Sequence, residues 1–99
     1  MNSFCEKVYE MARRIPSGRV ATYRAVAEAI GAPCAYRAVG NALSKNRDAH
    51  VPCHRVVRSD GDIGEYARGR EKKKKLLKKE GVFVSKYDRV DARSIARFL

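Results

Sequence analysis

The chain has 99 residues, enough for one small core but not for two. It carries 22 Lys+Arg against 11 Asp+Glu, a formal net charge of +11, which points to a polyanionic partner, most often nucleic acid, more than to a merely well-solvated surface. No apolar run approaches the ~20 residues of a membrane span, no signal-peptide pattern opens the chain, and three cysteines make no disulfide framework, so the expected setting is a reducing interior, cytoplasmic or, in a eukaryote, nuclear.

Ser3 followed by Glu6 is a capping box, and Phe4, Val8, Met11 and Ile15 recur at helical spacing, predicting a helix from about Phe4 to Arg14 that Pro16-Ser17-Gly18 stops. Arg19-Val20-Ala21 reads as a short extended link. Thr22 is an N-cap for a second helix with Tyr23, Val26, Ala27 and Ile30 on one stripe, and Gly31-Ala32-Pro33 ends it. A third helix over about Cys34–Ser44 is expected to bury Tyr36, Val39 and Leu43 and to present Arg37, Asn41 and Ser44 beside the small Ala38 and Gly40. Two short helices joined by a Gly-containing turn form a helix-turn-helix, a pattern shared with any antiparallel helix pair, and the net charge favours DNA as its partner.

Lys45 to His50 reads as a polar loop. Val56 to Glu65 alternates weakly around Ser59-Asp60-Gly61, which predicts a β-hairpin in the position of a wing. Gly69 opens a last helix, Arg70–Glu80, closed by Gly81 and carrying Lys72-Lys73-Lys74-Lys75 and Lys78-Lys79, read as a solvated face that adds nonspecific attraction to phosphate. Val82-Phe83-Val84 is a candidate short strand, and Asp91 a candidate cap for a terminal helix with Ile95, Phe98 and Leu99 apolar. The expected architecture is a single domain, 1–99, mainly α with a small β-hairpin: a winged helix-turn-helix.

Chemistry concentrates in Val51-Pro52-Cys53-His54-Arg55-Val56-Val57. Pro52 fixes its own φ and restricts Val51, so Cys53 is presented from a stiff point in the chain. A reactive thiol needs a cation, an imidazole or a helix N-terminus nearby, and His54 and Arg55 supply the residue types, although a buried, inert cysteine has the same surroundings in sequence. Cys5, Cys34, Cys53, His50 and His54 make no pair of closely spaced knuckles, so no metal is expected.

Pro52-Cys53-His54-Arg55-Val56 resembles the active-site signature of the O6-alkylguanine-DNA alkyltransferases (methylated-DNA–protein-cysteine methyltransferases), and further stretches over about Phe4 to Val82 resemble the C-terminal, DNA-binding domain of the same family. Arg19-Val20-Ala21-Thr22-Tyr23 is similar to the segment with the family's active-site tyrosine, which assigns that role to Tyr23. Arg37-Ala38-Val39-Gly40 resembles the recognition-helix motif whose arginine replaces the extruded nucleotide. Asn46 matches the hinge asparagine before the cysteine, Gly64-Glu65-Tyr66 the loop over the alkylated base, and Glu80-Gly81 the glutamate that ends a hydrogen-bond relay. The resemblance implies a catalytic set of Cys53, His54, Glu80, Tyr23 and Asn46. It places Val56, Tyr66 and Ala67 at the base, and Thr22, Ala35, Arg37, Ala38, Gly40, Asn41 and Lys45 on DNA, while Arg55 makes a structural ion pair.

The implied reaction is single-turnover transfer of the alkyl group from a flipped O6-alkylguanine in double-stranded DNA to Cys53, by a monomer with no metal or organic cofactor. The relay through His54 and Glu80 is expected to lower the thiol pKa. The chain lacks the N-terminal domain most members carry, Tyr36 stands where the family tends to have a small residue, and lysines replace apolar neighbours of Leu76-Leu77. Two rivals remain: an alkyltransferase-like damage sensor, a group in which the cysteine is typically replaced by tryptophan, and a plain winged-helix regulator without chemistry.

Overall fold

Ser3 Oγ accepts the Glu6 N–H at 3.1 Å, so the chain enters α1 (Phe4–Arg13) through the cap that its sequence encodes. The structure, a computed structural model, describes residues 3–95. Thr22 does the same for α2 (Tyr23–Ala29), its Oγ1 accepting the Ala25 N–H at 2.9 Å. The third helix, α3 (Tyr36–Ser44), begins two residues later than its spacing predicts. Pro33 and Cys34 lie instead in a turn closed by the Ala35 N–H on the Ala32 carbonyl at 2.9 Å, which takes up the first residues of the expected helix. The three helices bury Val8, Ala12, Ile15, Val26, Val39 and Leu43 in one core.

The link Arg19-Val20-Ala21 does more than connect. Ala21–Thr22 is a strand, β1, paired in parallel with β2 (Val56–Val57) in the register Ala21↔Val56 and Thr22↔Val57. Because side chains alternate along a strand, Ala21 and Val56 join the three-helix core. Val20 and Val57 face a second core, made with Ile63, Leu77, Val82, Val84 and Val90. The strand pair is the wall between the two cores, and it holds the first residue of α2 beside the chain that carries Cys53.

This pairing replaces the expected β-hairpin. Arg58 N–H donates to Asp62 O (2.9 Å) and Gly61 N–H to Arg58 O (3.0 Å), so Ser59-Asp60-Gly61 is a tight turn as read, but its return arm does not run back along Val56–Val57. Those residues are already paired with β1, and Asp62 bridges Arg89 in antiparallel fashion instead. The loop then crosses Gly64 (φ +75°) to reach α4 (Arg70–Lys79) through Gly69 (φ +101°).

The lysine run on α4 also departs from its reading. Lys72, Lys75, Lys78 and Lys79 are exposed, but Lys73 is fully buried beside Leu77. The expected strand Val82-Phe83-Val84 reduces to a single bridge between Val84 and Val90, with Phe83 exposed. Asp91 precedes a 3₁₀ turn, Ala92–Ser94, whose Ser94 carbonyl accepts the Val20 N–H at 2.8 Å. Phe98 and Leu99, expected in a terminal helix, lie outside the described residues.

Candidate active site and nucleic-acid interface

Cys53 opens a 3₁₀ turn, Cys53–Arg55, directly after Pro52 and directly before β2. Its Sγ accepts a hydrogen bond from Asn46 Nδ2 at 3.2 Å and directs its own proton towards Leu43 O at 3.7 Å. Asn46 also bonds the Asp48 carbonyl (2.8 Å), which ties the loop after α3 to the thiol. Burial pushes the Cys53 thiol up, and the Asn46 bond and the distant charges of Lys73 and Arg68 offset it only in part. The resting group is therefore a thiol near neutral pH, where the sequence reading expected a lowered pKa.

Behind the thiol stands a compact charge relay. His54 Nε2 lies 3.0 Å from Glu80 Oε2, at the C-terminal end of α4. Arg55 grips the same carboxylate with two donors, Nε to Oε1 at 2.9 Å and Nη2 to Oε2 at 2.7 Å, while its Nη1 reaches the Ile15 carbonyl at 2.8 Å. The ion pair expected of Arg55 is thus made with the relay glutamate itself. Burial would raise the Glu80 carboxyl, but hydrogen bonds from Arg55 and His54 hold it below the usual carboxylate range. Burial pushes His54 down, against the pull of Glu80, so the imidazole is neutral at pH 7 and free to accept a proton.

Cys53 opens onto a cavity of about 930 Å³, bounded by Tyr23 at the start of α2, Arg37 and Gly40 of α3, and Gly64, Tyr66 and Ala67 of the following loop. The closeness is built in at two glycines. A Cβ on Gly64, whose φ of +75° also disfavours one, would come within 3.1 Å of the Tyr23 hydroxyl; one on Gly40 would touch the Tyr23 ring at 3.8 Å. Burial raises the Tyr23 hydroxyl pKa, so Tyr23 holds its proton at pH 7.

Lys73 completes the site, and the sequence reading missed it. Its Nζ donates to the carbonyls of Val56 (2.7 Å) and Glu65 (3.1 Å) and lies 3.5 Å from the Tyr23 hydroxyl. Burial, reinforced by the Arg70 charge, lowers its pKa from 10.5 to about 7. Helical phase carried the signal: Lys73 precedes Leu77 by four residues and Glu80 by seven, which sets all three on the inward stripe of α4.

The remaining predicted residues divide. Tyr66 and Ala67 line the cavity, while the Val56 side chain is fully buried and its carbonyl is taken by Lys73. Arg37, Ala38, Asn41 and Lys45 lie exposed along α3, with Gly40 between them against Tyr23. Ala35 holds the N-cap position of α3, and Thr22 is occupied in capping α2. Tyr36, expected on the buried face, is 46% exposed at the cavity rim, because as the first residue of its helix it has no preceding turn to pack on. Among the described residues no cluster of His, Cys, Asp or Glu is placed to hold a metal ion.

The profile of the family described as 6-O-methylguanine DNA methyltransferase, DNA binding domain, matches residues 3–82. A methylated-DNA–protein-cysteine methyltransferase of Metallosphaera sedula is 49% identical over 84 residues, which cover 84% of this chain and 52% of that protein. The chain spans about half the length of such curated relatives. Among solved structures, Schizosaccharomyces pombe Atl1 in complex with damaged DNA containing O6-carboxymethylguanine superposes with a TM-score of 0.82 at 29% identity, covering 99% of this chain and 100% of that one. Mycobacterium tuberculosis OGT in complex with DNA gives a TM-score of 0.77 at 38% identity, over 82% of this chain and 50% of that one. The profile match takes in Tyr23, Arg37, the Cys53 turn and Glu80 in a single span, and the chain accordingly belongs to the 6-O-methylguanine DNA methyltransferase family, as its DNA-binding domain.

Proposed function

We propose that the protein repairs O6-alkylguanine in double-stranded DNA by irreversible transfer of the alkyl group to Cys53. The observation that carries this reading is the single cavity onto which Cys53, Tyr23 and Arg37 all open, with His54 and Glu80 hydrogen-bonded beside the thiol. The half-buried Cys53 lies within the cavity and cannot meet a base that remains in the stack, so the alkylated base must leave the duplex to reach it. Arg37, a long exposed cation beside Ala38 on α3, takes its place. Ala38 and Gly40 let the helix approach a groove closely, and the net charge of +11 supplies sequence-independent attraction to phosphate.

Transfer needs the S–C bond to form while the C–O6 bond breaks. The thiol loses its proton as substrate arrives, to neutral His54 through an intervening water, and Glu80 stabilises the imidazolium. The electron pair of the broken bond stays on guanine, which takes up a proton from Tyr23. Lys73, as an ammonium 3.5 Å from the phenol oxygen, stabilises the charge left on Tyr23 and returns the proton. Asn46 holds the sulfur in line for attack. The thioether does not hydrolyse, so each molecule acts once. The geometry and the family's motifs support these roles.

A second reading has one observation in its favour: Atl1, matched over its whole length, was solved on damaged DNA. In that reading the chain binds the lesion and leaves it in place. One experiment separates the two. The protein is incubated with a duplex containing O6-methylguanine, and the DNA is then digested to nucleosides. Conversion of the lesion to guanine in one-to-one proportion with protein supports transfer. Intact lesion recovered from a tight complex supports the sensor.

A further inference from the structure

The segment after the matched domain folds back on the loop that borders the cavity. Val84 bridges Val90, and between them Ser85–Arg89 forms a tight turn: Ser85 N–H donates to Arg89 O (2.8 Å) and Asp88 N–H to Ser85 O (2.9 Å). Asp88 stands in this turn with φ +59°, the one non-glycine residue in the left-handed region among the described residues. Aspartate tolerates that conformation better than most side chains, yet it persists only where surrounding contacts impose it.

Those contacts lead to the active site. The Asp88 carbonyl accepts the Ile63 N–H at 2.9 Å. Its carboxylate receives Lys74 Nζ at 2.9 Å and Arg70 Nε at 3.1 Å. A second nitrogen of Arg70, Nη2, binds Asp62 Oδ1 at 2.8 Å, and the same oxygen accepts the Gly64 N–H at 2.8 Å. Gly64 is the residue pressed against the Tyr23 hydroxyl, and the next carbonyl, that of Glu65, holds Lys73 Nζ. Two routes therefore run from Asp88 to Ile63-Gly64-Glu65, one through the backbone and one through Arg70 and Asp62.

We propose that Asp88 is a positioning residue for alkyl transfer: with Arg70 it clamps Ile63-Gly64-Glu65 so that Tyr23 and Lys73 meet the base in register. This rests on the transfer reading for its consequence and on the contacts of Asp88 for its geometry. Asp88 touches neither the thiol nor the cavity, and none of the clamp lies on α3. Its loss should misplace the proton donors without loosening the grip on DNA.

The test is Asp88→Asn, which retains a side chain tolerant of the left-handed backbone and removes the charge. Asp91→Asn makes the same change in the same segment without touching Arg70 and serves as control. Single-turnover transfer from O6-methylguanine duplex, measured over a range of duplex concentrations, gives a limiting rate and a half-saturating concentration. Asp88→Asn should lower the limiting rate about tenfold, as expected for a small misplacement of reacting groups, with the half-saturating concentration unchanged within about twofold. Amide exchange at Ile63 and Gly64, whose N–H groups bond Asp88 O and Asp62 Oδ1, should quicken, and Asp91→Asn should match wild type in all three readings. An unchanged limiting rate, or an equal fall in both variants, overturns the clamp. If the wild-type protein transfers nothing, the transfer reading falls on its own account, and the exchange measurement still decides the clamp: unchanged exchange at these amides in Asp88→Asn refutes it.

Discussion

Lys73→Met tests the buried lysine most sharply, because it keeps an unbranched apolar stem of nearly the same reach and removes the amine. Burial lowers Lys73 from 10.5 in the unfolded chain to about 7 in the fold. At roughly 1.4 kcal/mol per unit, that is about 5 kcal/mol against the charged form. The sign follows from proton binding. Between these two values the unfolded chain holds a proton on Lys73 that the folded protein has lost, so this group makes stability rise with pH across that window, and below about 7 the increment is gone. From pH 7 to 9 the increment should be about 2 kcal/mol. Chemical denaturation of wild type and Lys73→Met at a series of pH values isolates it, since Cys53 and the other titrating groups are common to both and cancel in the difference. The wild-type advantage over Lys73→Met should grow by that amount as pH rises. Parallel curves would show that Lys73 is solvated and would remove it from the site. The transfer rate of Lys73→Met should fall by about 10²-fold if the amine supports proton delivery by Tyr23.

Arg37→Ala should weaken base extrusion more than attachment, since flipping costs about a few kcal/mol of stacking and Arg37 is the long side chain on α3 that can fill the gap. A fluorescent base analogue compared with total binding reads both, and an equal loss in each would reduce Arg37 to a phosphate contact. Glu80→Gln should slow transfer about tenfold and destabilise the fold by about 2 kcal/mol at neutral pH, because Arg55 and His54 lose their shared carboxylate. Its carboxyl is held below the usual range, so the wild-type advantage is present at neutral pH and vanishes as pH falls through the folded pKa; a difference that persists in acid would contradict the assignment.

The helices were legible wherever local chemistry determines them. Ser3, Thr22, Gly31 and Gly81 mark ends that any tertiary context would respect, and Pro52-Cys53-His54-Arg55-Val56 announced the site with few residues. What sequence could not supply were pairings between distant segments. Ala21–Thr22 is too short to read as a strand until Val56–Val57 lies beside it, and a Ser-Asp-Gly turn says where a chain reverses but not what its return arm meets. Lys73 is the sharpest case. Within four consecutive lysines, composition argues for solvent at every position, and only the phase set by Leu77 and Glu80 singles out the one whose amine finds two carbonyls inside. The thiol pKa has a related explanation: the His54–Glu80 relay predicts a lowered value, but burial of Cys53, which packing of distant segments produces, outweighs the donors around it.

The central claim is that Cys53 alone receives the alkyl group. Cys5 is half-buried in α1 and Cys34 is exposed in the turn before α3, so both are available as internal controls on the same molecule. The deciding measurement is a peptide mass spectrum of the protein after reaction with a duplex containing O6-methylguanine. The account predicts one methyl group per molecule, confined to the peptide with Cys53, absent in Cys53→Ser although that variant still binds the duplex, and unaltered in Cys5→Ser and Cys34→Ser. Methylation shared among the cysteines, or a folded, DNA-bound protein whose Cys53 remains unmodified, would contradict it.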